Sequence, residues 1–211
     1  MARSKRKSRA ALDPRPPADL ARVVGSIALL QTDLEGVLAL VFDDLVNLPY
    51  GARGYLFDAL HNRARVDLIQ RLMEGAGLDA RQEAALLYAL GCFDVCTENR
   101  NILLHAHYEE PYEGAHLFFK EGAPGRGGWY FLATTRNLKA VETEMVNLKW
   151  YLLSLWKSLS VRNPLPRRPP PPHRLSSLRL PEDHPAWKLP PEASAWLSQL
   201  LAQRRAFRPT L

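Results

Sequence analysis

Apolar residues that recur every three or four positions constrain this chain more than any other feature. Val23, Ile27, Leu30, Leu34, Val37, Leu38, Val41 and Leu45 keep that rhythm over many turns. Leu56, Leu60, Ala64, Leu68 and Leu72 repeat it, as do Leu86, Leu87, Leu90, Phe93 and Val95. Leu138, Val141, Met145, Leu148, Leu152, Leu155 and Leu159 do so again. Side chains at this period share one face of a helix and bury it together. The spacing predicts helices over 18–47, 52–74, 79 to about 105–108, and 135–160. Pro17 suits a first helical turn. Asp79, with Gln82 three residues on, has the form of a capping box. Asn47, Pro49 and Gly51 stop the first helix, and Gly75 and Gly77 the second.

Residues 108–134 break the pattern. Two β-prone runs, 116–120 and 129–133, flank a glycine-rich tip, which reads as a hairpin. The tip matches neither GxxxxGK[ST] nor GxGxxG, so it carries no nucleotide-loop signature. The expected fold is mainly α: an up-and-down bundle of four long helices with a short β-hairpin before the fourth. The domain spans 18–160. A disordered basic tail (1–17) precedes it, and a Pro-rich linker (161–190) and a short C-terminal helix (191–211) follow. That last helix would use Trp196, Leu197, Leu200 and Leu201.

Charge follows the same division. The chain carries a net +6 over 211 residues. Residues 1–20 hold six basic side chains against two acidic, and residues 161–211 hold nine against three, so residues 21–160 carry −4. Basic tails attract polyanions without specificity. Cys92 and Cys96 are the only two cysteines, which excludes a disulfide framework and suits a reducing compartment. They stand one turn apart and nine or more residues from His105 and His107, too far for one tetrahedral zinc site on a continuous helix. No run approaches the ~20 apolar residues of a bilayer span, and no apolar core follows the basic N-terminus. The expectation is a cytoplasmic chain with no membrane partner, no metal and no cofactor. Ser-His-Asp order and HExxH are absent, which disfavours hydrolases of those types.

Residues 94–107 stand out chemically. Asp94, Glu98, Asn101 and His105 are spaced four, three and four apart, so they form one stripe on a helix. Arg100 flanks it. Glu98-Asn99-Arg100-Asn101-Ile102-Leu103-Leu104-His105 resembles the signature of HEPN domains. That signature is an Arg followed by His after four to six residues, often with Asn directly after the Arg. The helix order over residues 20–160 is similar too. The bare spacing recurs at Arg167 and Arg168 to His173 and at Arg179 to His184, but in a Pro-rich tail that offers no helical face.

The resemblance implies a bundle that dimerises through the motif-bearing helix. In active members it implies metal-independent RNA cleavage, in stress or toxin–antitoxin-like defence with an antitoxin as partner. The residue types suit that chemistry. An imidazole with a pKa near ~6.5 moves protons near neutrality, which fits His105 as acid or base. Arg100 matches a phosphorane's charge. Asn101 can hold either group, and Glu98 can orient Arg100 or tune His105. Arg63 and Arg65 on the second helix are candidates for RNA contacts, with ion-paired helix residues as the plainer reading. The alternative function is a non-catalytic helical interaction or scaffold domain using the same seam.

Overall fold

A computed structural model of the chain describes residues 16–46, 52–112, 114–122, 127–160, 164–181 and 183. Residues 1–15 of the expected tail (1–17), the stop at 47–51, the hairpin tip at 123–126 and the helix within 191–211 lie outside these. The described chain is mainly helical, with one small antiparallel sheet. In order it forms α1 (Ala18–Leu45), α2 (Ala52–Asp58), α3 (Asn62–Met73), α4 (Ala80–Leu104), β1 (Ala106–Tyr112), β2 (Ala115–Lys120), β3 (Trp129–Ala133), α5 (Thr135–Ser160) and a 3₁₀ turn (Leu175–Leu178).

α4 and α5 begin where side chains satisfy free N–H groups. Asp79 Oδ1 accepts the N–H of Arg81 and of Gln82 at 2.8 Å, and Gln82 Oε1 accepts the N–H of Asp79 at 2.9 Å. This closes the capping box the sequence predicts, a device worth about 1 kcal/mol. Thr134 and Asn137 do the same for α5: Thr134 Oγ1 accepts the Asn137 N–H at 3.0 Å and Asn137 Oδ1 accepts the Thr134 N–H at 2.9 Å.

The second predicted helix is two. His61 is extended (φ −74°, ψ 159°), and its Nδ1 accepts the Ala64 N–H, starting α3 afresh. Arg65 then fixes the bend. Its Nε donates to the Phe57 carbonyl at 3.0 Å, and its guanidinium lies 4.9 Å from the centre of the Phe57 ring. Hydrophobic spacing alone does not show this break, because Leu60 and Ala64 keep the period across it.

Helix direction also departs from strict alternation. Ser26 bonds Glu142, and Lys149 bonds Asp33 at 2.6 Å; both pairs span 116 residues, so α1 and α5 run side by side in the same direction. An up-and-down order of four helices does not contain that parallel neighbour pair. α4 runs opposite to α5, since the Tyr151 hydroxyl donates to the Ala85 carbonyl at 3.5 Å while Cys96 lies near Glu144. Leu34, Leu38, Leu86, Leu90, Phe93, Met145 and Leu152 fill the core between these helices.

The predicted hairpin gains a third strand. β1 leaves α4 after a single residue, His105, and pairs with β2, which pairs with β3, in the order β1-β2-β3. Phe118 and Phe131 stack at 4.9 Å on the core side of the sheet. Gly128 lets the chain turn in tightly: a Cβ there would sit 2.3 Å from Phe119 Cζ and 2.8 Å from the Lys120 carbonyl oxygen.

Residues 164–181, read from the sequence as linker, are seated on the domain. They run across α4 and α5, bury Leu175 at 1% exposure, and reach β3, where the Leu180 N–H donates to the Tyr130 carbonyl at 3.1 Å. Arg179 lies 4.2 Å from the centre of the Trp129 ring.

Candidate functional site

The last three turns of α4 hold the stripe found in the sequence, and the structure divides its members. Asp94 faces α3, where its carboxylate lies 3.3 Å from the Arg63 guanidinium; Arg63 also holds Asp67 at 3.2 Å. Burial pushes the Asp94 carboxyl above its ordinary range, outweighing the opposing pull of Arg63. Glu98, one turn further on, pairs with Arg174 of the docked C-terminal segment.

Asn99, next to Glu98 and turned to the buried face of α4, is fully buried. Its Nδ2 donates to the His173 carbonyl at 2.6 Å, and its Oδ1 accepts the Leu175 N–H at 2.8 Å. One side-chain amide thus satisfies two backbone groups of an extended chain. Glu144 on α5 adds two bonds, accepting the His173 N–H at 2.9 Å and pairing with the His173 ring. Tyr88 donates to the Pro169 carbonyl, and Arg168 lies 5.3 Å from the centre of the Tyr88 ring.

The end of α4 is more open. Arg100 Nη1 donates to Asn101 Oδ1 at 2.9 Å, and Arg100 Nε is enclosed without a partner. Asn101 and His105 are exposed, and His105 is the C-cap residue, where the helix dipole favours a cation. His107, also exposed, follows on β1. Arg100, Asn101 and His105 therefore lie together at one end of α4. Asp94, Glu98 and Asn99 are engaged by neighbouring elements.

The two arginines proposed for RNA contact differ. The Arg63 side chain is 70% exposed and that of Arg65 only 11%. Arg65 is built into the fold: it donates to Glu35 at 3.1 Å, Asn62 at 2.9 Å and Phe57 at 3.0 Å. Its guanidinium is committed to the α1–α2–α3 junction, whereas that of Arg63 is exposed and paired with Asp67 and Asp94. Cys92 and Cys96 are buried free thiols, and burial pushes Cys96 up to about 12. Among the described residues, no three His, Cys, Asp or Glu side chains gather as a metal site.

Sequence reasoning gave Asn99 no role. Its signal was there: Cys92, Cys96, Asn99 and Leu103 step by four, three and four, so an amide replaces an apolar residue on the buried face. Its partner lies more than seventy residues away, and no local pattern announces that. No protein-family model, no curated protein and no solved structure matches this chain.

Proposed function

We propose that this chain is a HEPN-like, metal-independent endoribonuclease whose working site joins the Arg100–Asn101–His105 ends of two copies. One observation carries the reading. Arg100, Asn101 and His105 sit together at the surface end of α4, with Arg100 tied to Asn101 and His105 open to solvent. These are the residues that the sequence resemblance marks.

The chemistry follows from their types. His105 of one copy takes the proton of a ribose 2′-hydroxyl, whose oxygen attacks the adjacent phosphorus. The bond from phosphorus to the 5′-oxygen breaks, and that oxygen takes a proton from the imidazolium of the second copy's His105. Arg100 stabilises the added negative charge on the phosphorane. Asn101 holds the Arg100 guanidinium in place. Glu98, held by Arg174, acts as a positioning residue beside them. The products are a 2′,3′-cyclic phosphate and a 5′-hydroxyl. Each copy supplies one His105, so acid and base come from different subunits of a homodimer. The setting is cytoplasmic stress or toxin–antitoxin-like defence, with an antitoxin as a further partner.

A second reading has its own support. Glu98 and Asn99, the two residues before the motif's Arg100, are engaged in seating residues 164–181. A purely structural seam, in a helical interaction domain, would use them in this way. Incubating RNA with the full chain in EDTA separates the two. The nuclease reading expects cleavage by the wild type and loss of at least ~100-fold in His105→Ala. RNA left intact by the wild type favours the interaction domain.

A further inference from the structure

The groove between α4 and α5 holds residues 168–175 mainly by their backbone. Tyr88 donates to the Pro169 carbonyl, and Asn99 Nδ2 donates to the His173 carbonyl at 2.6 Å. Asn99 Oδ1 accepts the Leu175 N–H at 2.8 Å, and Glu144 accepts the His173 N–H at 2.9 Å. Backbone groups are common to all chains, so these contacts select an extended shape more than one sequence. The spacing of the anchors matches that shape. Tyr88 and Asn99 stand eleven residues apart on α4, about 16 Å at 1.5 Å per residue. Polyproline geometry rises ~3.1 Å per residue, so the five steps from Pro169 to Arg174 also cover about 16 Å. The four prolines at 169–172 hold that geometry in advance, at little entropic cost.

Side chains add a chemical preference. Arg168 lies 5.3 Å from the centre of the Tyr88 ring, the His173 ring pairs with Glu144, and Arg174 pairs with Glu98. Residues 164–181 carry four arginines, one histidine and no acid, so a basic strand meets the acids of the two helices. Leu175 is the apolar anchor, at 1% exposure. The fit is nevertheless incomplete. A pocket of about 100 Å³ stays open between Asn137, Ala140 and Val141 of α5 and Leu175, Ser177 and Leu178 of the segment. A continuous core is packed without such gaps. The side chains of His173 and Arg174 are 81% and 55% exposed, so solvent screens their ion pairs.

We propose that the α4–α5 groove is a recognition site for an extended proline-rich peptide, and that residues 168–175 are its tethered, exchangeable ligand. The partner it fits is a protein segment with several prolines followed by an arginine and a leucine. Lifting the internal segment with no replacement leaves the buried Asn99 amide without its two partners. Another extended chain restores both bonds, so the groove favours exchange over standing empty. Tethering gives the internal ligand an effective concentration of about millimolar, and a partner displaces it by fitting better, including at the pocket beside Val141. This recognition is independent of the chemistry at Arg100 and His105.

Fluorescence anisotropy of a labelled peptide of residues 166–178, titrated with the full chain, tests it. Leu175→Asp, and more mildly Arg174→Glu beside Glu98, should unseat the internal segment with unchanged circular dichroism. Both variants should then bind the peptide at least ~10-fold more tightly than the wild type does. Adding Asn99→Leu to either should weaken that binding at least ~10-fold, and Leu175→Asp placed in the peptide should do the same. No binding to either folded variant, equal binding by the wild type and both variants, or binding indifferent to Asn99→Leu overturns the proposal. So does equal binding of a scrambled peptide of the same composition, which reduces the contact to charge.

Discussion

Asn99 on α4 takes the backbone N–H of Leu175 on its side-chain oxygen at 2.8 Å, across 76 residues of sequence. The same amide donates to the carbonyl of His173 at 2.6 Å. Asn99→Leu keeps the branched shape and leaves both backbone groups without their side-chain partner. Each buried unsatisfied group costs about 1–3 kcal/mol, so the urea midpoint should fall clearly. The Leu175 amide should also lose hydrogen-exchange protection. A change within ~0.5 kcal/mol would show that the seating does not depend on this amide.

That contact marks the limit of what the sequence discloses. The capping box at Asp79 and Gln82 was legible because every group in it lies within one helical turn. So was the apolar face of α1, from Val23 to Val41. The break at His61 was hidden, because the guanidinium that fixes it answers a carbonyl eight residues back. The docking of residues 164–181 was hidden because prolines set local extension but say nothing about what the chain lies against. Arg100, Asn101 and His105 could be placed at the end of one helix from spacing alone. The engagement of Glu98 with Arg174 could not, since that partner is 76 residues away.

Arg65 and Arg63 look alike in sequence and should behave differently. Arg65→Ala removes charge-assisted bonds to Glu35 and to the Phe57 carbonyl, at about 1.5–3 kcal/mol. Arg63→Ala, at an exposed pair, should change stability by less than ~1 kcal/mol. Thermal melts of the two variants check this. Equal losses would contradict the buried clamp.

Asp94 gives a pH signature with a definite sign. Its folded carboxyl holds its proton to higher pH than the ordinary value of 3.8, because burial outweighs Arg63. The folded chain therefore binds that proton more tightly than the unfolded chain, and stability falls as pH rises through the folded value. Asp94→Asn should raise Tm at pH 7, and the gain should vanish below pH 3.8. A lower Tm at pH 7 would mean that the Arg63 pair dominates.

The cysteines should be silent in the native protein. Burial pushes Cys96 up to about 12, so its thiolate is scarce at pH 8. An aromatic disulfide reagent should label neither thiol in buffer and both after unfolding in urea. Rapid labelling of the native chain would place a thiol at the surface.

Two histidines acting as acid and base dictate the ends of cleaved RNA. Purified full chain should cut single-stranded RNA in EDTA and leave 2′,3′-cyclic phosphate and 5′-hydroxyl termini, as proton transfer by two His105 imidazoles requires. His105→Ala should abolish those termini, and Arg100→Ala should reduce their rate by at least ~100-fold through loss of phosphorane stabilisation. RNA left whole by the wild type, or termini produced equally by His105→Ala, would contradict the account.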